Sequence, residues 1–242
     1  MTKNNNNMRV AIVTGGNRGI GYEVCKNLSE IGFKVILTSR KVEDGIKAVD
    51  KINNNVSYFP LDVTLQDDIE KLKNHIIDQF GRLDILINNA GILLDKRGYG
   101  KGKISSIFDT DINVLRESIE TNSIAPFALC KALIPIMKKN NYGRVVNVSS
   151  QAGQLASESY GIPCYRMSKT ALNSVTRIFA DETKKYNILV NSVCPVWAKT
   201  IMGGPNAIKE AKDSIGTIIW AATLSDGEGS GKFFQEFKEI PW

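Results

Sequence analysis

The stretch RVAIVTGGNRGIG, residues 9–21, decides the fold of this 242-residue chain. Its first half, RVAIVT, is a run of apolar and β-branched residues, which is typical of a strand buried on both faces. The glycine-rich TGGNRGIG then runs into a helical pattern. Gly15 permits a tight turn, Gly19 lets the backbone approach a phosphate, and Gly21 allows close packing of the helix. Because a helix N-terminus presents free N–H groups, this strand–turn–helix predicts a site for a pyrophosphate.

The same alternation of short apolar runs and helical stretches continues along the chain. It predicts strands at 9–14, 33–39, within 56–63, at 83–89, 143–150, 187–195 and 232–234, and helices at 18–31, 42–53, 66–80, 111–140 and 165–185. Pro126 and Pro135 lie within the longest helical pattern and are expected to bend or divide it. Strands that alternate with helices are joined by right-handed crossovers. The predicted fold class is therefore α/β, a doubly wound parallel β-sheet flanked by helices, which is Rossmann-like.

Composition places residues 8–242 in a single domain of ordinary globular character, with 43% hydrophobic and 23% charged residues. The asparagine-rich tail, residues 1–7, is expected to be disordered. No apolar run reaches the roughly 20 residues that span a bilayer. The N-terminus also lacks the apolar segment of a secretory signal. We therefore expect a cytoplasmic protein with no membrane partner.

Four cysteines and one histidine are the candidate metal ligands. Cys25, Cys130, Cys164 and Cys194 are widely spaced and form no CxxC pair. This spacing favours reduced thiols and predicts no metal site. The single histidine, His75, lies in a helical pattern and is interpreted as a structural or solvated residue.

The net charge of +6 indicates an anionic partner. Nucleic acid is not expected, because the lysines and arginines are spread along the chain without a concentrated basic block. After the second predicted strand, where an acidic residue would hold ribose hydroxyls, the chain has Ser39 and Arg40. Arg18 lies within the glycine loop. Because guanidinium groups bind phosphate in a charge-assisted, bidentate way, these residues predict NADP(H) as the cofactor.

Tyr165 and Lys169 stand four residues apart at the start of a predicted helix, so they share one helical face. A nearby ammonium favours the phenolate and lowers the pKa of a tyrosine, which suits proton transfer near neutral pH. Ser150 follows the fifth predicted strand at the edge where parallel sheets bind ligands, so its hydroxyl is a candidate to polarise a carbonyl group. Ser149 competes for this role, but strand alternation points the two side chains in different directions.

On these motifs the chain resembles the short-chain dehydrogenase/reductase family, over essentially all of residues 8–242. TGGNRGIG resembles the cofactor loop of that family, and NNAG at 88–91 its fourth-strand motif. The family's catalytic tetrad falls on Asn122, Ser150, Tyr165 and Lys169. The resemblance implies an NADP(H) site formed by Gly15, Asn17, Arg18, Gly19, Ile20, Gly21, Ser39, Arg40, Asp62, Val63, Asn89, Ala90, Gly91, Tyr165, Lys169, Pro195 and Thr200.

Within the family, MGGPNA at 202–207 and the ending SGKFF…KEIPW resemble the NADPH-dependent carbonyl reductases. The resemblance implies transfer of hydride from NADPH to a small-molecule ketone, aldehyde or quinone. Tyr165 is then expected to donate the proton and Ser150 to hold the carbonyl oxygen. Lys169 is expected to lower the pKa of the phenol and to bind the nicotinamide ribose, and Asn122 to hold a water.

Two departures from the family pattern bear on the substrate pocket. Val196 stands where the family usually has glycine, which stiffens the loop after the sixth strand. Only fourteen residues separate Ser150 from Tyr165, whereas the monomeric carbonyl reductases tend to carry a long insertion there. A more open pocket is expected, and the choice between monomer and homo-oligomer stays open. Trp197 is expected either to contact substrate or to pack structurally, and segment 95–106 is either an ordinary loop or a lid.

Other activities remain possible on the same scaffold. One alternative is a redox sensor that binds NADPH without turnover, although such proteins typically lose the tyrosine or the lysine. Another is an enoyl reductase, in which the serine is often replaced. An epimerase or dehydratase would usually carry a longer C-terminal substrate domain than 242 residues allow.

Overall fold

The computed structural model describes residues 8–52, 55–95, 106–156 and 161–242. The predicted disordered tail, 1–7, lies outside the described residues. So does the predicted lid or loop at 95–106, apart from its two end residues.

Among the described residues, eight strands form one central sheet and two more form a small separate one. The strands are β1 (Val10–Val13), β2 (Lys34–Ser39), β3 (Val56–Pro60), β4 (Ile85–Asn88), β5 (Gly143–Val148), β6 (Ile188–Cys194), β7 (Ala198–Lys199), β8 (Lys209–Glu210), β9 (Phe233–Gln235) and β10 (Lys238–Glu239). In the large sheet their order is β10-β9-β6-β5-β4-β1-β2-β3. All neighbouring pairs are parallel except β9 and β10.

Helices cover both faces of this sheet. They are α1 (Gly19–Glu30), α2 (Val42–Val49), α3 (Gln66–Phe80), α4 (Ile112–Ile119), α5 (Ala125–Lys139), α6 (Pro163–Thr183) and α7 (Gly216–Ala222). Side chains of β1 alternate between two cores, because successive residues of a strand point to opposite faces. Ile12 packs in one core with Leu72 of α3, whereas Val13 packs in the other with Leu28 of α1. The predicted fold class, a doubly wound parallel sheet, is confirmed.

The strand order reverses between β1 and β4, and this reversal positions the site. From β1 the chain continues outward through β2 and β3, whereas β4, β5 and β6 extend in the opposite direction. The loops that follow β1 and β4 therefore leave the sheet in opposite directions, and a crevice opens between them. The glycine-rich loop predicted to bind a pyrophosphate lies at this crevice, between β1 and α1.

The helical pattern at 111–140 is divided, but not by either proline. A π-helical turn, Glu120–Ile124, joins α4 to α5. Pro126 falls in the first turn of α5, where a helix needs no N–H from it. Pro135 lies inside α5 without ending it, because the buried side chains around it, such as Leu133 and Met137, hold the helix against the sheet.

Other boundaries also differ from the sequence expectation. Helix α2 ends at Val49 rather than at residue 53. The N–H groups of Lys51 and Ile52 donate to carbonyl oxygens three residues earlier, instead of the four that an α-helix requires. Strand β5 ends at Val148, two residues early. The short helix α7 was not predicted, since periodicity cannot assign so short an apolar run.

None of the helices within the described parts of the chain is long and apolar enough to cross a membrane.

Candidate active site

A cavity of about 440 Å³ opens at the carboxyl ends of the central strands. Every residue predicted to bind the dinucleotide lines it, from Gly15 in the first loop to Thr200 after β7. Met202, which the sequence suggests for the substrate pocket, also lines the cavity, whereas sequence reasoning missed Leu61, Thr64, Ile92, Thr121, Val148, Ser149, Lys199 and Ile201. Most of them are next to a predicted residue in the chain, so the neighbouring motif could have indicated that they lie at the site.

The glycine loop has the backbone conformation that its sequence predicts. Gly15 and Gly19 have φ angles of 63° and 56°, in the left-handed region that favours glycine. A β-carbon on Gly21 would stand 2.4 Å from the carbonyl oxygen of Gly15, so only glycine allows α1 to approach the loop this closely. The first turn of α1 thus faces the cavity with its N–H groups, as a pyrophosphate site requires.

Hydrogen bonds join this loop to the one that follows β4. The hydroxyl of Thr14 accepts from the N–H groups of Asn89 and Ala90, each at 3.0 Å. The side chain of Asn89 donates in return to the carbonyl oxygens of Thr14 at 2.8 Å and Gly15 at 3.2 Å. Both walls of the crevice are therefore fixed to each other before any ligand binds.

Two exposed arginines are among the residues that line the cavity. Arg18, the residue before α1, and Arg40, the residue after β2, both line it. Ser39 lies beside Arg40, and its hydroxyl donates to the carbonyl oxygen of Lys41 at 3.0 Å. Asp62, after β3, accepts from the N–H and the hydroxyl of Thr64. Arg40 thus stands after β2, where other dinucleotide-binding proteins have an acidic residue. An acid there would repel a phosphate, whereas an arginine binds it.

Tyr165 and Lys169 lie on the first turns of α6 and both line the cavity. The Lys169 ammonium is 5.6 Å from the centre of the Tyr165 ring. Lys169 is only 4% exposed, and its Nζ donates to the carbonyl oxygen of Val148 at 2.7 Å. Burial lowers the pKa of Lys169 to about 8, and nearby Cys194 opposes this shift.

The two serines after β5 make different hydrogen bonds. Ser149 is buried and lines the cavity, but its hydroxyl donates to Oδ1 of Asn173 at 2.7 Å. Ser150 lies outside the cavity lining, and its Oγ accepts from the N–H of Ala152 at 3.1 Å. The hydroxyl proton of Ser149 is therefore engaged by Asn173, whereas the bond from Ala152 is one that the Ser150 hydroxyl accepts.

Asn122 is fully buried in the π-helical turn and does not line the cavity. Its Oδ1 accepts from the N–H of Ile92 at 2.8 Å, and its Nδ2 donates to the carbonyl oxygen of Ile92 at 2.9 Å and to Ser168 Oγ at 2.9 Å. Asn122 thus joins the loop after β4 to α6 through hydrogen bonds. The water predicted for this side chain remains a prediction.

Trp197 and Val196 occupy the loop after β6. Trp197 is 40% exposed and lies outside the cavity lining, and its indole N–H donates to the carbonyl oxygen of Gly203 at 2.9 Å. Val196 has a φ of 65°, which glycine adopts freely and a β-branched residue rarely does. The backbone at Val196 therefore has a conformation that favours glycine, although the residue is valine.

No group of three histidine, cysteine, aspartate or glutamate side chains within the described residues has the arrangement of a metal site. The site therefore consists of a glycine loop at a helix N-terminus, two arginines, and a phenol beside a buried ammonium. This set defines a dinucleotide-dependent oxidoreductase.

Comparison with known proteins identifies the family. The sequence model of the short chain dehydrogenase family matches residues 9–211. The chain is 30% identical to (+)-neomenthol dehydrogenase of Capsicum annuum, over 99% of each protein. It is similar in structure to the carbonyl reductase Sniffer of D. melanogaster, with a TM-score of 0.87, 26% identity, and coverage of 97% of this chain and 100% of that one. The NADPH-bound carbonyl reductase from chicken fatty liver gives a TM-score of 0.85 at 27% identity, with coverage of 97% and 99%.

The chain belongs to the short-chain dehydrogenase family. The family predicted from the glycine loop, the NNAG motif and the Tyr–Lys spacing is confirmed.

The left-handed Val196 yields a test of stored strain. A left-handed conformation costs an L-residue about 1–2 kcal/mol, and the greater freedom of unfolded glycine offsets part of this. Val196→Gly is therefore expected to raise the free energy of unfolding by about 1 kcal/mol in urea titrations. Val196→Ala is the control, because its β-carbon keeps most of the strain. A Val196→Gly protein less stable than the wild type would contradict this account.

Buried Lys169 predicts a pH dependence of stability in the cofactor-free protein. Its pKa falls from 10.5 to about 8 on folding, so between these values the unfolded chain binds more protons. The contribution of Lys169 to the free energy of unfolding is therefore lowest below pH 8 and rises as the pH approaches 10.5. Relative to Lys169→Met, the wild type should gain roughly 3 kcal/mol across this range in urea titrations. Lys26→Met, at an exposed position, controls for the loss of a lysine. A difference that stays constant with pH would contradict the prediction.

Proposed function

We propose that this chain is an NADPH-dependent reductase that converts a ketone, aldehyde or quinone to the alcohol. The observation that carries the proposal is the pair formed by Tyr165 and Lys169. The half-buried Tyr165 lines the cavity, and the centre of its ring is 5.6 Å from the buried ammonium of Lys169. A phenol in this setting suits the donation of a proton to an oxygen that gains negative charge.

The residues present fit a dinucleotide. The cradle at the N-terminus of α1 is open because Gly19 and Gly21 have no β-carbon. A β-carbon at Gly19 would meet Thr200 at 3.1 Å, and one at Gly21 would meet Gly15 and Asn89. Asn17, Arg18 and Ile20 complete that wall, and Ala90, Gly91 and Pro195 belong to the opposite one. Asp62 and Val63, after β3, are proposed to hold the adenine.

The phosphorylated cofactor is favoured by charge. Arg18 and Arg40 line the cavity, as does Ser39. Guanidinium groups suit a 2′-phosphate, and both arginines are exposed, so no burial cost opposes the binding of a dianion. The similarity to an NADPH-bound carbonyl reductase supports the same choice.

NADPH supplies the hydride when bound. On the protein side, Tyr165 is proposed to donate its phenolic proton to the carbonyl oxygen, and Ser150 to hold that oxygen through its hydroxyl. Lys169 is proposed to favour the phenolate by its charge and to bind the nicotinamide ribose. Asn122 keeps Ile92, and with it the loop after β4, in position against α6.

The residues at the mouth of the cavity favour an apolar carbonyl compound. Ile201 and Met202 line the cavity and are 68% and 38% exposed. Trp197 lies just before the two-residue strand β7, on the other side of it from Ile201 and Met202, and is 40% exposed. Large apolar side chains left in water beside a catalytic cavity suit a ligand that buries them. We therefore place the substrate between Ser150 and the segment from Trp197 to Met202.

Tyr165→Phe tests the reaction directly. Removal of a general acid is expected to lower kcat for carbonyl reduction by about 100-fold or more, because the alkoxide loses its proton donor. NADPH affinity, measured by cofactor fluorescence, should change by less than about threefold, since the ring remains in place. Tyr142→Phe removes a hydroxyl before β5, at the far end of the sheet, and is the matched control. Substantial turnover by Tyr165→Phe would exclude the phenol as the donor.

The same assay separates the alternatives when the wild type is mixed with NADPH and a panel of ketones, aldehydes, quinones and enoyl thioesters. Oxidation of NADPH with carbonyl compounds supports the proposed function. Oxidation only with enoyl thioesters would indicate an enoyl reductase, and binding without any oxidation would indicate a sensor.

Arg40→Asp tests the cofactor. The exchange removes a charge-assisted contact and adds a charge that repels phosphate, so the Kd for NADPH should rise about 10-fold to 100-fold. The Kd for NADH should stay level or fall, because a carboxylate can bind ribose hydroxyls. Arg9→Asp, which makes the same change of charge before β1, controls for net charge. Unchanged discrimination between the two cofactors in Arg40→Asp would refute the assignment.

A further inference from the structure

The helix that carries the proposed proton donor begins without a cap of its own. Gly161 and Ile162, just before α6, have φ angles of 67° and 43°. Ile162 is the N-cap residue, and its side chain makes no capping hydrogen bond. The first helical residue, Pro163, has no N–H. The first free donors of α6 are therefore the N–H groups of Cys164 and Tyr165, and they need an acceptor from another part of the chain.

Asp95 supplies that acceptor. One carboxylate oxygen accepts from the N–H of Cys164 and the other from the N–H of Tyr165, each at 3.0 Å. Asp95 is 5% exposed, so water competes little for these bonds. Burial and then the charge of this carboxylate raise the pKa of the Cys164 thiol to about 11. Two bonds from the two oxygens of one carboxylate fix both the rotation and the height of the first helical turn.

The position of Asp95 in the chain links this turn to the cofactor side of the cavity. Asp95 follows the loop after β4, in which Ala90, Gly91 and Ile92 line the cavity. The two bonds from Asn122 hold Ile92 in place three residues earlier. The carboxylate therefore extends from a loop that is already fixed against the cavity wall.

Lys169, one turn further along α6, has a separate anchor. Its Nζ donates to the carbonyl oxygen of Val148, and its backbone packs against Gly153, where a β-carbon would approach to 2.8 Å. These contacts hold the ammonium but act one turn away from the phenol. At the first turn of α6, the two bonds to Asp95 are joined by one from the Arg166 guanidinium to the carbonyl oxygen of Ala152 at 3.3 Å.

We propose that Asp95 is a positioning residue for reduction, which holds Tyr165 at the distance from the cofactor loop that proton donation requires. This inference rests on the proposed function, in which Tyr165 is the proton donor. Asp95 itself contacts neither substrate nor cofactor in this proposal. Without these two hydrogen bonds the first turn of α6 can shift. A displacement of about 1 Å at a reacting group is enough to lower the rate about 100-fold.

The test compares Asp95→Asn and Asp95→Ala with the wild type. Asparagine keeps one acceptor oxygen and the side-chain shape, whereas alanine removes both acceptors. We expect kcat to fall about tenfold in Asp95→Asn and about 100-fold in Asp95→Ala. The Kd for NADPH and the KM for the carbonyl compound should stay within about threefold of the wild type, because the cavity walls remain.

Asp84→Asn is the matched control. Asp84 is also a buried carboxylate that accepts from a backbone N–H, that of Val10 at 2.7 Å, and it also pairs with Arg82. It precedes β4, at the edge of the sheet opposite the cavity. This variant should lower the unfolding midpoint in urea and leave kcat unchanged, which separates a loss of stability from a loss of positioning.

Three outcomes decide the matter. Wild-type kcat in both Asp95 variants would overturn the positioning role and leave the proposed function standing. Loss of NADPH binding or of the cooperative unfolding transition in both variants would make Asp95 a general structural residue and would also overturn it. A wild-type protein that binds NADPH and reduces no carbonyl compound would instead contradict the proposed function itself.

Discussion

The hydroxyl of Thr14 joins the two halves of the sheet where their strand order reverses. It accepts from two consecutive N–H groups after β4 and donates to the carbonyl oxygen of Ile87 at 3.3 Å. Strands β1 and β4 are neighbours in the sheet, but the chain continues from them toward opposite edges. Beyond the last residue pair of these strands, side-chain hydrogen bonds join the two loops that follow them. The glycine loop, the NNAG loop and the cavity between them all depend on this junction.

Around that junction, helix α6, which carries the proposed proton donor, is held by polar contacts from several directions. Asp95 binds its first turn, Asn122 binds Ser168, and the Ser123 hydroxyl donates to the carbonyl oxygen of Ser168 at 2.6 Å. Lys169 reaches across to β5. Buried polar groups of this kind are costly unless they are satisfied, so they specify one position of the helix. The lowered pKa of Lys169 is the energetic consequence of placing an ammonium there.

The residues around β7 leave more apolar surface in water than the walls of the cofactor site do. The cofactor walls consist of loops fixed by mutual hydrogen bonds, whereas Ile201 and Met202 stand in water in the loop after β7. Val196 places strain at the start of that region, because it adopts a conformation suited to glycine.

The sequence by itself determined the doubly wound sheet, the glycine loop, the two arginines and the Tyr165–Lys169 pair. Each of these is a local pattern, a periodicity of two or 3.6 residues or a spacing within one turn, so it is readable without the fold. Only the tertiary structure decided that Asp95 caps α6, that a π-helical turn rather than Pro126 or Pro135 divides α4 from α5, and that Ser149 is already bonded to Asn173. These features depend on contacts between residues about 24 to 70 positions apart or on packing against the sheet, and such contacts leave no local period in the sequence.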